Sequence, residues 1–117
     1  MMNLEQIAPF LGMNAEETMA RFGGNELLLM RCLKKFNDDH SFHDLKTAME
    51  QGQKEEAIAA VHTLKGVSGN LGLGTLFTKS QALLAHLRQE GLEGAETLYQ
   101  DTEKAYEKTM EILSRME

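Results

Sequence analysis

Glycine-containing turns divide this chain into helix-length segments, and this division most constrains how it can fold. The turns lie at Gly23-Gly24, at Gly52, at Gly72 and Gly74, and in the stretch EGLEG from Glu90 to Gly94. Proline occurs once and aromatic residues make up only 6% of the 117 residues, a profile that favours helices over sheets. With such short connections, the sequence predicts an all-α fold: an antiparallel four-helix bundle with a short N-terminal capping helix.

A chain of 117 residues is enough for one hydrophobic core but too short for a catalytic domain and a regulatory one together. We therefore predict a single domain over 1–117, with 1–24 as the N-terminal cap and 25–117 as the four-helix bundle. In the cap, Asn14 and Glu17 have the spacing of a reciprocal capping pair, which predicts a short helix that ends at Phe22.

The segment between Asn25 and Gln51 is predicted to form one long helix with a bend near Asp38. Asn25 can cap its first turn. The apolar stripe begins with Leu29, Leu33 and Phe36 and then slips out of register to Phe42, Leu45 and Met49.

The remaining three helices are predicted from their apolar spacing. The first begins at Lys54, and its core stripe is Ala57, Val61, Leu64, Ser68 and Leu71. Thr75 is predicted to cap the next helix, whose stripe is Leu76, Ser80, Leu83 and Leu87. The last helix repeats small or apolar residues at Ala95, Leu98, Thr102, Ala105, Thr109, Ile112 and Met116.

One histidine stands beside the core stripe of the Lys54 helix. His62 follows Val61 by one residue, so it points about 100° away from the buried face and is expected at its exposed edge. Lys65 lies one turn later and can contact phosphate oxygens. Gly66 and Gly69 cost the helix roughly 1 kcal/mol each, but they leave room for a partner to approach the imidazole. Each of these parts has a physical use if His62 carries a phosphoryl group, and that is the chemistry we expect here.

The stretch HTLKGVSGNLG, with EEAIAAV before it and LGTLFTKSQALLAHLR after it, resembles the histidine-containing phosphotransfer (HPt) domain of phosphorelays. The resemblance covers the chain from about Phe22 to the last helix. It implies that His62 accepts a phosphoryl group from a receiver-domain aspartate and passes it to the aspartate of another receiver. It also implies that Lys65 contacts the phosphate and that Gly66 provides clearance.

The resemblance further implies a docking surface and a set of partners. Arg88 borders that surface, and Ile58, Gly66 and Gly69 are expected to form its shallow patch. The partners would be response-regulator receiver domains and an upstream hybrid sensor kinase, and the chain would act as a monomer. It would need no cofactor or metal of its own, because the receiver's carboxylates would supply Mg²⁺. Gln81 departs from the family, which usually carries an acidic residue there.

Charge and hydropathy exclude other classes. A net charge of −6 with scattered cations argues against nucleic-acid binding. No apolar run approaches the roughly 18 residues of a membrane span, and the N-terminus lacks the features of a secretory signal, so we expect a cytoplasmic location without membrane insertion. The single cysteine, Cys32, is interpreted as a small buried hydrophobe.

Three alternatives stay open at this point. The chain could be a docking scaffold that is never phosphorylated. It could also be the terminal piece of a hybrid sensor kinase. Because the sequence contains no ATP-binding segment, whether the chain counts as an enzyme is uncertain. His40 and His43 have a spacing that could bind metal, but no third ligand is evident and a solvated face is favoured. His86 is assigned no role.

Overall fold

The computed structural model describes residues 2–116, and these residues form a helical bundle. The seven α-helices are α1 (Leu4–Leu11), α2 (Ala15–Arg21), α3 (Glu26–Lys35), α4 (Ser41–Glu50), α5 (Lys54–Asn70), α6 (Gly74–Glu90) and α7 (Glu96–Leu113). Helix α5 packs against both α4 and α6, and α6 also packs against α7. The predicted all-α class is therefore confirmed, and the short connections between contacting helices favour the antiparallel order. No helix within 2–116 is both long and apolar enough to cross a membrane.

The predicted core stripes are the buried faces of the long helices. All five stripe residues of α5 are buried, as are the four of α6. In α7 the stripe is buried except at Leu98, which is half-buried, and Tyr99 and Leu113 join the core beside it. Cys32 is only half-buried, against the edge of the core.

The predicted long helix between Asn25 and Gln51 is wrong, because the chain breaks where only a bend was expected. A 3-10 turn at Phe36–Asp38 follows α3, and Asp39 then adopts an extended conformation. The Asp39 carboxylate accepts hydrogen bonds from the backbone N–H and hydroxyl of Ser41, which starts α4. The break has a packing reason: it allows both Phe36 and Phe42 to reach the ring of Tyr106, with centroids 6.0 and 4.2 Å away.

The N-terminal cap contains two helices where the sequence predicted one. The unpredicted α1 begins with a reciprocal capping pair, in which Asn3 and Gln6 each accept from the other's backbone N–H. Helix α2 begins as predicted, because the Asn14 side chain accepts from the Glu17 N–H at 3.0 Å. The reciprocal bond from Glu17 does not form; its carboxylate lies 3.8 Å from Arg21 instead.

The turn between α5 and α6 is part of the surface on which this cap packs, and α1 also packs on α7 and α6. Gly72 has a left-handed φ of 73°, and a Cβ there would collide with the Thr18 side chain of α2. A Cβ on Gly74 would collide with the Gly12 carbonyl oxygen. The predicted cap at Thr75 is wrong: α6 already begins at Gly74, without a side-chain cap, because the close approach of Gly12 fixes the backbone there.

Candidate functional site

His62 lies in the middle of α5, at the exposed edge of the core. Its neighbour Val61 is fully buried, whereas His62 itself is exposed. The one-residue offset from the core stripe produces this arrangement, as the sequence predicted. A rigid helix with a buried face thus presents a solvent-accessible imidazole.

The imidazole faces an open cavity of about 410 Å³. Three helices line it: α2 contributes one residue, α5 five and α6 one, namely Arg21, His62, Lys65, Gly66, Gly69, Asn70 and Phe77. The cavity therefore includes Lys65, Gly66 and Gly69, which the sequence singled out beside His62. It also includes Arg21, Asn70 and Phe77, which the sequence did not single out.

The two glycines of the cavity have different surroundings. A Cβ added to Gly66 would meet no atom within 4 Å, so this position is open to a partner. A Cβ added to Gly69 would lie 2.9 Å from Cδ1 of Phe77. The space beside Gly69 is thus filled by this chain's own ring, and the small residue there serves the packing of α6 on α5.

Two cations from different helices accompany the imidazole. Lys65 is half-buried, and its ammonium has no ion-pair partner within residues 2–116. Arg88, in the last turn of α6, places Nη2 3.5 Å from Nδ1 of His62. That distance is at the limit of a hydrogen bond, so this contact is weak. Both cations are free to interact with an anion at the imidazole.

Arg21 is the charged one of the three cavity residues that sequence reasoning missed. It belongs to α2, 41 positions before His62 in the sequence, and no local pattern relates the two. Its Nη2 donates to the Gly69 carbonyl oxygen at 3.1 Å and its Nε donates to that of Asn70 at 3.4 Å. Arg21 thereby caps the last carbonyl groups of α5, where a cation is also favoured by the helix dipole.

Other residues singled out in the sequence lie outside the cavity. Ile58 is half-buried against the core, and Gln81 is exposed on α6. His43 lines a separate groove between α4 and α5. His86 is half-buried, and its Nε2–H donates to the Glu93 carbonyl oxygen at 2.7 Å, which fixes the turn before α7. Residues 2–116 hold no cluster of three or more side chains suited to binding a metal.

Comparison with known proteins identifies the family of this fold and site. No curated protein and no solved structure matches the chain. A family model described as the Hpt domain matches residues 36–115, which is more than half of the chain and includes α4 to α7. Hpt domains are helical bundles that interact with response-regulator receiver domains. The chain therefore belongs to the Hpt domain family, which connects it with phosphotransfer in two-component signalling.

Proposed function

We propose that this protein is a phosphocarrier that receives a phosphoryl group on His62 from one receiver-domain aspartate and delivers it to another. The observation that carries the proposal is the exposed His62 imidazole beside the open position at Gly66. A buried histidine, or one screened by side chains, could not approach an aspartyl phosphate in a partner's active site. Membership of the Hpt domain family supports the same role.

In the proposed step, Nε2 of His62 attacks phosphorus, because it is the ring nitrogen farther from the backbone. A nitrogen–phosphorus bond forms, and the bond from phosphorus to the aspartate oxygen breaks and leaves its electron pair on the carboxylate. The proton on Nδ1 stays, so the product ring is positively charged and the transfer is readily reversed. A neutral imidazole carries a lone pair on one ring nitrogen, which makes it a competent nucleophile.

Arg88 and Lys65 are proposed to stabilise the phosphoryl group during the transfer. When Nδ1 carries the proton it cannot accept from Arg88, so the weak 3.5 Å contact would break. The guanidinium of Arg88, which comes from α6, would then be available to the phosphoryl oxygens. Lys65 would contribute a mobile charge from one turn along α5. Both would form charge-assisted hydrogen bonds, which are stronger than neutral ones.

The partners follow from this chemistry. We propose that phosphoryl groups arrive from the receiver domain of a hybrid sensor kinase and leave for a separate response regulator, with this chain acting as a cytoplasmic monomer. The Mg²⁺ used in the transfer would be held by carboxylates of the receiver. The net direction of phosphoryl transfer would depend on which of the two receivers has the less stable aspartyl phosphate.

The decisive experiment is to label the protein from two kinds of donor, namely phosphorylated receiver domains and a small phosphoramidate. Wild type, His62→Gln and His43→Gln are compared by intact mass and peptide mapping. His43 is the matched control because it is an exposed histidine on the neighbouring helix. We expect an acid-labile, base-stable phosphoryl group on wild type and on His43→Gln, and none on His62→Gln.

Equal labelling of all three proteins would place the phosphoryl group elsewhere and contradict the proposal. If wild type binds receivers but no donor labels it, the chain is a docking scaffold instead. Circular dichroism of His62→Gln checks that loss of label does not come from unfolding. We expect unchanged helicity, because glutamine is a good helix former and His62 is exposed on the helix surface.

A further inference from the structure

The cavity beside His62 contains a cation from outside the region that defines the family. Arg21 lies in α2, whereas the family match begins at residue 36. Its guanidinium lines the same cavity as His62 and Lys65. The N-terminal cap therefore does more than cover one end of the core: it brings a charged group to the surface that a partner must approach.

The position of Arg21 is fixed by backbone contacts. Two nitrogens donate to the carbonyl oxygens of Gly69 and Asn70. Helix α2 is itself held close to the α5–α6 turn, because Gly72 leaves room for Thr18. The Arg21 side chain is nevertheless 38% exposed. A cation that is oriented in advance and still accessible can meet a partner's anion with little loss of side-chain entropy.

Charge in this region has the opposite sign to the charge of the whole chain. The protein carries a net charge of −6, but within the described part of the chain the cavity lining includes Arg21 and Lys65 and no carboxylate. Arg88 adds a third cation at His62. Glu17 is the nearest acid to Arg21, at 3.8 Å, and its side chain is 70% exposed. An exposed pair at that distance is weak, so Glu17 neutralises Arg21 only in part.

We propose that Arg21 is a docking residue that recognises the anionic rim of a receiver's active site, so that the N-terminal cap forms part of the partner-binding surface. This inference rests on the proposed function, because a receiver that exchanges phosphate with His62 must bring its aspartate and its metal-binding carboxylates against this cavity. Complementary charge at the rim of an interface raises the rate of encounter and fixes the orientation of docking.

The test measures single-turnover phosphotransfer from the receiver domain that labels wild type best, because each molecule accepts one phosphoryl group. The observed rate is followed against the concentration of this protein, with KM as the concentration at half of the limiting rate and kcat as the limiting rate. Arg21→Gln, Arg21→Lys and Glu17→Gln are compared with wild type for KM and kcat, each at about 50 and about 300 mM salt, where the Debye length falls from about 14 to about 6 Å. We expect Arg21→Gln to raise KM about fivefold at low salt. Arg21→Lys should raise KM less than Arg21→Gln does, because it keeps the charge although it cannot make both hydrogen bonds to the Gly69 and Asn70 carbonyl oxygens. Glu17→Gln should lower KM, since it removes the competing carboxylate.

Three results distinguish the possibilities. If Arg21 docks the receiver through its charge, the higher salt concentration should raise the KM of wild type more than that of Arg21→Gln. If Arg21→Gln and Arg21→Lys lose transfer equally and both melt at lower temperature, Arg21 only holds α2 on α5, and the inference is overturned. An unchanged KM in Arg21→Gln overturns it as well. Absence of label on wild type from every donor is a different result, because it removes the proposed function on which the inference rests.

Discussion

At the scale of single residues, the two glycines of the motif, Gly66 and Gly69, have different surroundings. Both lie on α5 beside His62, yet only Gly66 faces open space, while Phe77 occupies the space next to Gly69. We expect Gly66→Ala to raise the free energy of unfolding by about 1 kcal/mol through helix propensity. Gly69→Ala should gain clearly less, because its Cβ must displace the Phe77 ring. Urea unfolding of both variants checks this, and equal gains would contradict the contact with Phe77.

The open position at Gly66 leads to a functional prediction at the same scale. Gly66→Gln should slow transfer between receiver and His62 by at least about tenfold, because a long side chain would stand where the partner approaches the imidazole. The free energy of unfolding should change by no more than about 1 kcal/mol. Quenched-flow assays measure the rate of phosphoryl transfer, and Gly66→Ala, which adds only a methyl group, is the control. A normal rate for Gly66→Gln would show that the receiver approaches from another side.

At the scale of the helices, the sequence predicted what depends on local periodicity. The stripes of α5 and α7 and the exposed edge at His62 follow from 3.6-residue spacing alone. The break at Asp39 does not, because it is imposed by the packing of Phe36 and Phe42 on the distant Tyr106. The position of Arg21 could not be predicted from local periodicity either, because its hydrogen-bond partners are carbonyl groups 48 and 49 positions away in the sequence.

The start of α4 gives a test of that break. Asp39 accepts from the backbone N–H of Ser41 at 3.0 Å and also from its hydroxyl, so it satisfies a donor at the first turn of the helix. Asp39→Ala should lower the free energy of unfolding by about 1 kcal/mol, because it leaves the Ser41 N–H without its carboxylate acceptor. Asp38→Ala, one residue earlier and exposed, should change it much less. Equal effects in chemical denaturation would show that the hydrogen bonds from Ser41 to Asp39 do not stabilise the start of α4.

At the scale of the whole molecule, the N-terminal cap, the α5–α6 turn and the site are parts of one structure. The cap packs on the turn at Gly72 and Gly74. Arg21 of the cap also donates to the Gly69 carbonyl oxygen and lines the His62 cavity. The aromatic cluster lies between other parts of the bundle, where Phe42 of α4 stacks on Tyr99 and Tyr106 of α7. It joins the first half of the chain to the last helix, so its protonation state bears on the stability of the whole fold.

That cluster makes stability fall at alkaline pH. Burial raises the pKa of Tyr99, with a further rise from the carboxylates of Glu103, Glu50 and Glu96. Burial also raises the pKa of Tyr106, and Asp39 adds to the rise. A raised pKa means that the folded state holds these protons more tightly than the unfolded chain, where tyrosine ionises near pH 10. Their contribution is therefore complete below about pH 10 and is lost as the pH rises through the folded pKa values.

The measurement is the urea midpoint of unfolding at about pH 8 and about pH 11, on either side of the unfolded tyrosine pKa. Wild type is compared with a double variant, Tyr99→Phe and Tyr106→Phe, which keeps both rings and removes both hydroxyl groups. The two proteins differ only at these two hydroxyl groups, so every other effect of the alkaline pH is common to both. We expect the midpoint of wild type to fall more between the two pH values than that of the double variant. Equal losses would mean that the tyrosines ionise as easily in the folded protein as in the unfolded chain, and would contradict the raised pKa values of Tyr99 and Tyr106.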